Sequence, residues 1–112
     1  MAYTKRLLYE PIRSIDSATF TGSYQALGTP LLNAASIVKI VNNSGVLVTI
    51  STDGINDMDV VPTDGFVLYD ITSNTPTNGD DAIFIPQGTQ YLIKSTGSTG
   101  LVYLVVLYIV QI

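Results

Sequence analysis

Carboxylates are the one chemically active class of side chain that this sequence carries in quantity. Asp53, Asp57 and Asp59 lie close together, Asp64 follows, and Asp80 and Asp81 are adjacent. A carboxylate pair performs general acid–base chemistry when its surroundings push the two pKa values apart. These residues instead lie in turn-like sequence rich in Gly, Asn and Thr, where Asp is favoured because it bonds its own backbone. The same groups could hold calcium, which takes several oxygens converging from a flexible loop. Asp53-Gly-Ile-Asn-Asp57-Met-Asp59 and Asn78-Gly-Asp80-Asp81 offer oxygens, but neither has the EF-hand spacing. Ordinary turn carboxylates are expected, and no metal.

The rest of the catalytic repertoire is missing. The chain contains no His and no Cys. That removes the usual general base, the thiolate nucleophile and the commonest metal ligands. No serine sits in a Gly-x-Ser-x-Gly elbow, and no Gly-rich loop has phosphate-binding spacing. We therefore expect no enzyme, no catalytic residue and no cofactor. Five cations are scattered over the chain and the net charge is −4, which speaks against nucleic acid as a partner. Absence of Trp weighs against a sugar-stacking platform. A glycan- or receptor-binding module using the loops at 53–59 and 73–81 stands as the alternative from another class. Asn42-Asn43-Ser44 matches a glycosylation sequon and is read as a turn.

The elements that carry these residues are strands. At 112 residues the chain has the length of one domain, able to bury roughly two thirds of its unfolded surface. No window keeps a helical apolar period. Short runs of Val, Ile, Tyr, Phe and Thr are separated by Gly, Asn, Asp and Pro. They predict strands at 19–27, 36–42, 46–52, 58–61, 66–72, 82–85, 89–94 and 101–111. In the second, Ile37, Lys39 and Val41 share one face and Val38 and Ile40 the other; in the fifth, Phe66, Leu68 and Asp70 oppose Val67, Tyr69 and Ile71. The turn at Asn43-Ser44-Gly45 makes 36–42 and 46–52 a predicted hairpin. The expected fold is all-β: a single antiparallel β-sandwich of about eight strands, jelly-roll or Greek-key, over residues 17–112.

Residues 1–16 differ. They hold three of the five cations, Lys5, Arg6 and Arg13, and Pro11 interrupts them. They read as an N-terminal arm reaching a neighbouring subunit or as an edge strand of the domain's own sheet. The last strand, Leu101 to Val110, is apolar on both faces, so its outer face must lie under the arm or a loop, or under another subunit. Tyrosine suits interfaces, since its ring buries area and its hydroxyl finds a partner. The interface candidates are Tyr3, Lys5, Arg6, Leu7, Leu8, Tyr9, Arg13, Tyr103, Val105 and Tyr108. The leading residues have no apolar core of signal-peptide length, and the apolar run at 101–110 is too short for a membrane helix, so a product of the cytoplasm with no membrane partner is expected.

Four segments carry a resemblance. Ser36-Ile-Val-Lys-Ile-Val-Asn-Asn-Ser44, Val46-Leu-Val-Thr-Ile-Ser-Thr-Asp-Gly54, Phe66-Val-Leu-Tyr-Asp-Ile-Thr-Ser-Asn74 and Phe84-Ile-Pro-Gln-Gly-Thr-Gln90 resemble small virion structural proteins of tailed bacteriophages. The size and the Ser/Thr/Asn/Gly-rich make-up are similar to the capsid decoration (cement or staple) proteins of short-tailed phages. The resemblance implies a β-sandwich in the virion, bound to the major capsid protein and acting as a homo-oligomer, dimer or trimer. Head–tail connector and tail structural proteins share the same style.

Overall fold

The computed structural model describes residues 5–71 and 84–111. Two antiparallel sheets pack face to face. Sheet A has β1 (Lys5–Tyr9) and β2 (Arg13–Asp16) end to end along one edge of β9 (Leu101–Gln111), with β4 (Ile37–Asn42) and then β7 (Phe66–Asp70) on the other side. Sheet B runs β3 (Gln25–Ala26), β8 (Leu92–Lys94), β5 (Val48–Ser51), β6 (Asp59–Val61). The pairs β2·β9, β3·β8, β4·β7 and β5·β6 nest inside one another. The chain from β2 to β9 is therefore one long antiparallel hairpin whose successive rungs have been wrapped from one layer to the other.

The period-2 pattern sets the core. Val38 and Ile40 of β4, Val48 and Ile50 of β5, Ile93 of β8 and Val102, Leu104 and Val106 of β9 are buried between the sheets. β4 and β7 alternate as their sequences predict, and β9 covers its predicted span.

Three sequence expectations are corrected. The segments at 36–42 and 46–52 do not pair: β4 belongs to sheet A and β5 to sheet B. Asn42, fully buried at the end of β4, is the reason. Its side-chain amide donates to the carbonyls of Val46 at 2.8 Å and Pro62 at 3.1 Å, and its Oδ1 accepts from the Ser44 backbone at 2.9 Å, so the turn bends across the layers instead of back along the same one. β5 finds its hairpin partner in β6. The predicted strand at 19–27 shortens to Gln25–Ala26, because Ser17–Thr19 form a 3-10 turn capped by the Asp16 carboxylate. At 89–94 only Leu92–Lys94 pair as a strand. Of 82–85, Ile85 forms a bridge to Ala35 while 82–83 lie outside the described residues, as does the polar loop at 73–81.

Candidate functional site

The edge of sheet A begins with an irregularity. In β1 the register sets Tyr9 against Leu107, and Glu10 donates its backbone N–H to Val106. In β2 Arg13 stands against Leu104. Three residues on the edge therefore match two on β9, a β-bulge at Pro11 and Ile12. The bulge has a chemical consequence. On a regular strand Glu10 and Arg13 would point to opposite faces; here both point inward.

They form a buried ion pair, Arg13 Nη2 donating to Glu10 Oε1 at 2.8 Å, with side chains 6% and 1% exposed. Glu10 also accepts from the backbone N–H of Leu32 at 3.1 Å and of Asn33 at 2.9 Å, and from Asn33 Nδ2 at 3.1 Å. Arg13 donates further to the carbonyls of Thr29 at 2.9 Å and Pro30 at 3.0 Å. Burial by itself pushes the Glu10 carboxyl up, but Arg13 and the Leu32 and Asn33 donors together outweigh it and hold the carboxyl below its ordinary value. Gly28 lets the guanidinium stem in, since a Cβ there would stand 2.6 Å from Arg13 Cβ. Arg13 is thus corrected as an interface candidate: it is inside its own domain, bound to the loop at 29–33.

The remaining candidates lie on the other side of the bulge or on the outer face of sheet A. Arg6, Leu7, Leu8 and Tyr9 are exposed, Tyr9 at 71%. Tyr103, Val105 and Tyr108 are half-buried along β9. Lys5 takes part through its pairing with Gln111, and Tyr3 lies outside the described residues. β4 reaches only as far as Leu107, so the end of β9 continues past it paired to β1 alone. The two make a ribbon that outruns the sandwich.

Register defines which side chains share the outer face. Phe66, Val41, Tyr103 and Ser14 form one cross-strand row; Leu68, Lys39 and Val105 the next; Asp70, Ile37, Leu107 and Tyr9 the third; Ile109 and Leu7 continue it along the ribbon. Phe66 is 57% exposed and Leu68 52%. Lys39 lies over the Phe66 ring, 4.9 Å from its centre, so even this cation adds its stem to the apolar surface. At about 4.8 Å between strands and 3.4 Å per residue, this face covers roughly 300–400 Å². Among the described residues nothing lies over it. Phe66, Leu68, Ile37 and Val41 were not singled out from sequence. Their alternation was legible, but nothing in it said that β7 would lie beside β4.

Comparison with protein-family models, curated proteins and solved structures finds no match. What the chain does must be argued from its own surfaces.

The acidic turns are occupied internally. Asp53 accepts from the backbone N–H of Ile55 and Asn56 at 2.8 and 2.9 Å, from the Asn56 side chain at 2.8 Å and from the Ser51 hydroxyl at 2.8 Å, bonds that pull its pKa well down. Asp57 accepts from the Tyr24 hydroxyl and pairs with Lys94 at 2.9 Å. Asp59 accepts from the Tyr69 hydroxyl. Each carboxylate has its own partners, and they do not converge on a common point. Asn78, Asp80 and Asp81 lie outside the described residues.

A cleft of about 350 Å³ opens between the sheets beside β6, lined by Ile50, Met58, Tyr69, Ile85 and Tyr91 among others. Its lining is mostly apolar, with Thr52, Tyr91 and the Asp59–Tyr69 pair as the polar members. Burial pushes the Tyr91 hydroxyl up to about 12, and burial with the Asp59 carboxylate pushes Tyr69 up as well, so both rings are neutral at physiological pH.

Proposed function

We propose that this chain is a non-enzymatic structural subunit of a tailed-phage particle, decorating and clamping the major capsid protein lattice as a homo-oligomer. The observation that carries the reading is the outer face of sheet A. A two-layer sandwich normally turns one face of each sheet to water and fills it with polar residues. Here that face is a band of Phe, Leu, Val, Ile and Tyr in which Phe66 and Leu68 are more than half exposed, and an apolar patch of this extent is often functional. Repetition over a lattice would multiply modest single contacts. Of the two expected topologies, the jelly roll is the one that the nested pairing of β2·β9 through β5·β6 supports, and jelly rolls recur in viral coat proteins and lectins.

The test is cryo-electron microscopy of the particle that carries this chain. We expect density at symmetry-related positions on the shell, with the outer face of sheet A turned to the lattice. Density confined to the neck or tail, or that face turned to solvent, would overturn the reading. In parallel, Leu68→Lys should leave the fold intact and abolish attachment to particles.

The cleft favours a second reading, a glycan- or receptor-binding module. Glycan-array binding weakened by Tyr69→Phe would support it, and silence across the array would count against it.

A further inference from the structure

The cleft beside β6 holds a carboxylate where the strand pattern calls for an apolar side chain. Asp59 stands opposite Ile50 in the β5·β6 ladder, and Val61, two residues on, is fully buried. Cross-strand partners and alternate residues share a face, so Asp59 lies on the inner face of sheet B, turned toward sheet A. β6 and β7 are the outermost strands of their sheets on this side, and Tyr69 of β7 donates its hydroxyl to the Asp59 carboxylate across the gap. The carboxylate also accepts from the Val60 backbone N–H at 2.8 Å. Both donors are neutral. Lys94 pairs with Asp57, Arg13 with Glu10, and Lys39 lies over Phe66, while no Lys or Arg is among the residues that line the cleft.

Tyr91 is a second and independent feature of the same cleft. It is only 6% exposed, yet its hydroxyl has no hydrogen-bond partner among the described residues, and burial alone is what pushes its pKa up. Buried hydroxyls are nearly always bonded. Thr52, the other hydroxyl of the lining, already donates to the Met58 sulfur at 3.3 Å. Tyr91 is close enough to Tyr69 to add to the upward push on that phenol, so the two hydroxyls and the Asp59 carboxylate gather in one region. The space they border is about 350 Å³, within the roughly 300–1,000 Å³ of small-molecule sites. We propose that this cleft binds a primary organic ammonium with an apolar body, the charge against Asp59 and the N–H donors shared with the phenol oxygens of Tyr69 and Tyr91. Three properties select that ligand. The lining carries one negative charge and no positive one, so an anion is repelled and a neutral sugar leaves the carboxylate without a counter-charge. Two phenol rings border the space, and their faces attract a cation. Ile50, Met58 and Ile85 offer an alkyl or aryl body an apolar wall. A primary ammonium has three donors, and the carboxylate and phenol oxygens are acceptors for them. The inference goes beyond the capsid reading and depends on neither it nor the glycan reading.

Hexylamine, protonated at pH 7, is the probe; hexanol and hexanoate carry the same body without the charge or with the opposite one. Each is titrated into the full chain and followed by amide and tyrosine-ring NMR shifts. Hexylamine should saturate in the millimolar range and move the resonances of Asp59, Tyr69 and Tyr91. Hexanol should bind about tenfold more weakly or worse, and hexanoate should not bind. Asp59→Asn, which keeps the shape and removes the charge, should weaken hexylamine about tenfold, and Tyr91→Phe, which keeps the ring and removes the oxygen, should weaken it as well. Asp64→Asn, at an exposed turn outside the cleft, should change nothing and thereby separates the site from general attraction to an acidic protein. Hexanol binding as tightly as hexylamine would overturn the proposal, since the cleft would then be an apolar hole only. So would the absence of saturable shifts, an equal loss in Asp64→Asn and Asp59→Asn, or methyl glucoside moving the same resonances where hexylamine does not. The comparison of probes on the wild type needs no variant to fold.

Discussion

Replacing Glu10 by Gln tests whether the bulge ion pair fastens the edge of sheet A. The substitution keeps shape and volume, so what changes is charge and hydrogen bonding. Each Glu10 oxygen accepts from two donors: Oε1 from Arg13 and Leu32, Oε2 from the backbone and side chain of Asn33. Whichever way an amide is turned, its NH2 group faces two donors, and the Arg13 guanidinium loses its counter-charge where its side chain is 6% exposed. Breaking a buried pair by removing one partner costs about 3–5 kcal/mol. Arg13 keeps the carbonyls of Thr29 and Pro30, which places the expected loss near the lower end, about 3 kcal/mol. In urea, followed by circular dichroism at pH 7, that is a fall in midpoint of about 2 M at an m-value of about 1.5 kcal/mol/M. The pH dependence gives a second signature. The folded pKa of Glu10 lies below its unfolded value. Its stabilisation is therefore fully present above the unfolded value, about 4.3, and is lost as pH falls through the folded one. The acid limb of the wild-type stability curve should be correspondingly shallower in Glu10→Gln. A variant within about 0.5 kcal/mol of wild type at pH 7, with the same acid limb, would refute the argument.

Other predictions follow from single contacts. Gly100 has φ +105°, and a Cβ there would stand 2.2 Å from the Asn43 carbonyl oxygen, so Gly100→Ala should lower thermal stability by more than about 2 kcal/mol. Gly88 at φ +86° has open space around it, so Gly88→Ala should cost only about 1 kcal/mol, and the difference isolates the collision. Asn42→Ala takes the amide from the Val46 and Pro62 carbonyls, which keep Ser44 and Gly65 as donors, and leaves the buried Ser44 N–H without its acceptor, so it should cost about 2–3 kcal/mol in urea unfolding. Tyr91, pushed up to about 12, contributes stability that is complete below its unfolded value near 10 and is lost as pH rises toward 12. Tyr91→Phe should therefore flatten the alkaline limb of the stability curve, measured by denaturation between pH 9 and 12.

Strands were legible where alternation or length was unambiguous. β9 is bounded by Gly100 and apolar throughout, and β4 and β7 alternate without a break. Periodicity says which residues share a face and is silent on which strand lies alongside. That is why the Asn43-Ser44-Gly45 turn predicts a hairpin that the structure does not form. The deciding signal was Asn42, whose buried amide ties β4 to the β6 end of the other sheet. The Glu10–Arg13 pair was hidden for a related reason. Two charges three apart on a strand should face opposite ways, and only the bulge, a tertiary feature of the pairing with β9, brings them together. The exposed face of sheet A was half visible: the apolar double face of β9 demanded a cover, while the contributions of Phe66 and Leu68 depended on β7 lying beside β4.

The two sheets provide an internal comparison for the docking argument. Both are built from the same residue types and pack on the same core, yet their outer surfaces differ in kind. On sheet B, Thr49 stands between Val60 and Lys94, and Lys94 is drawn into a charged network, pairing with Asp57 at 2.9 Å and lying 4.7 Å from the centre of the Tyr24 ring. That surface satisfies its polar groups at the boundary with water, as a solvated sheet face does. On sheet A the corresponding rows are Phe66, Val41, Tyr103 and Leu68, Lys39, Val105, in which the single cation rests on an aromatic ring. Each face carries one lysine lying over an aromatic ring, and sheet A adds Asp70; what sets sheet A apart is Phe66 and Leu68, more than half exposed, on a face continuous with the ribbon formed by β1 and the end of β9. That distribution is what the proposed burial of one flank of sheet A against other chains requires, and Leu68→Lys is the substitution that tests it.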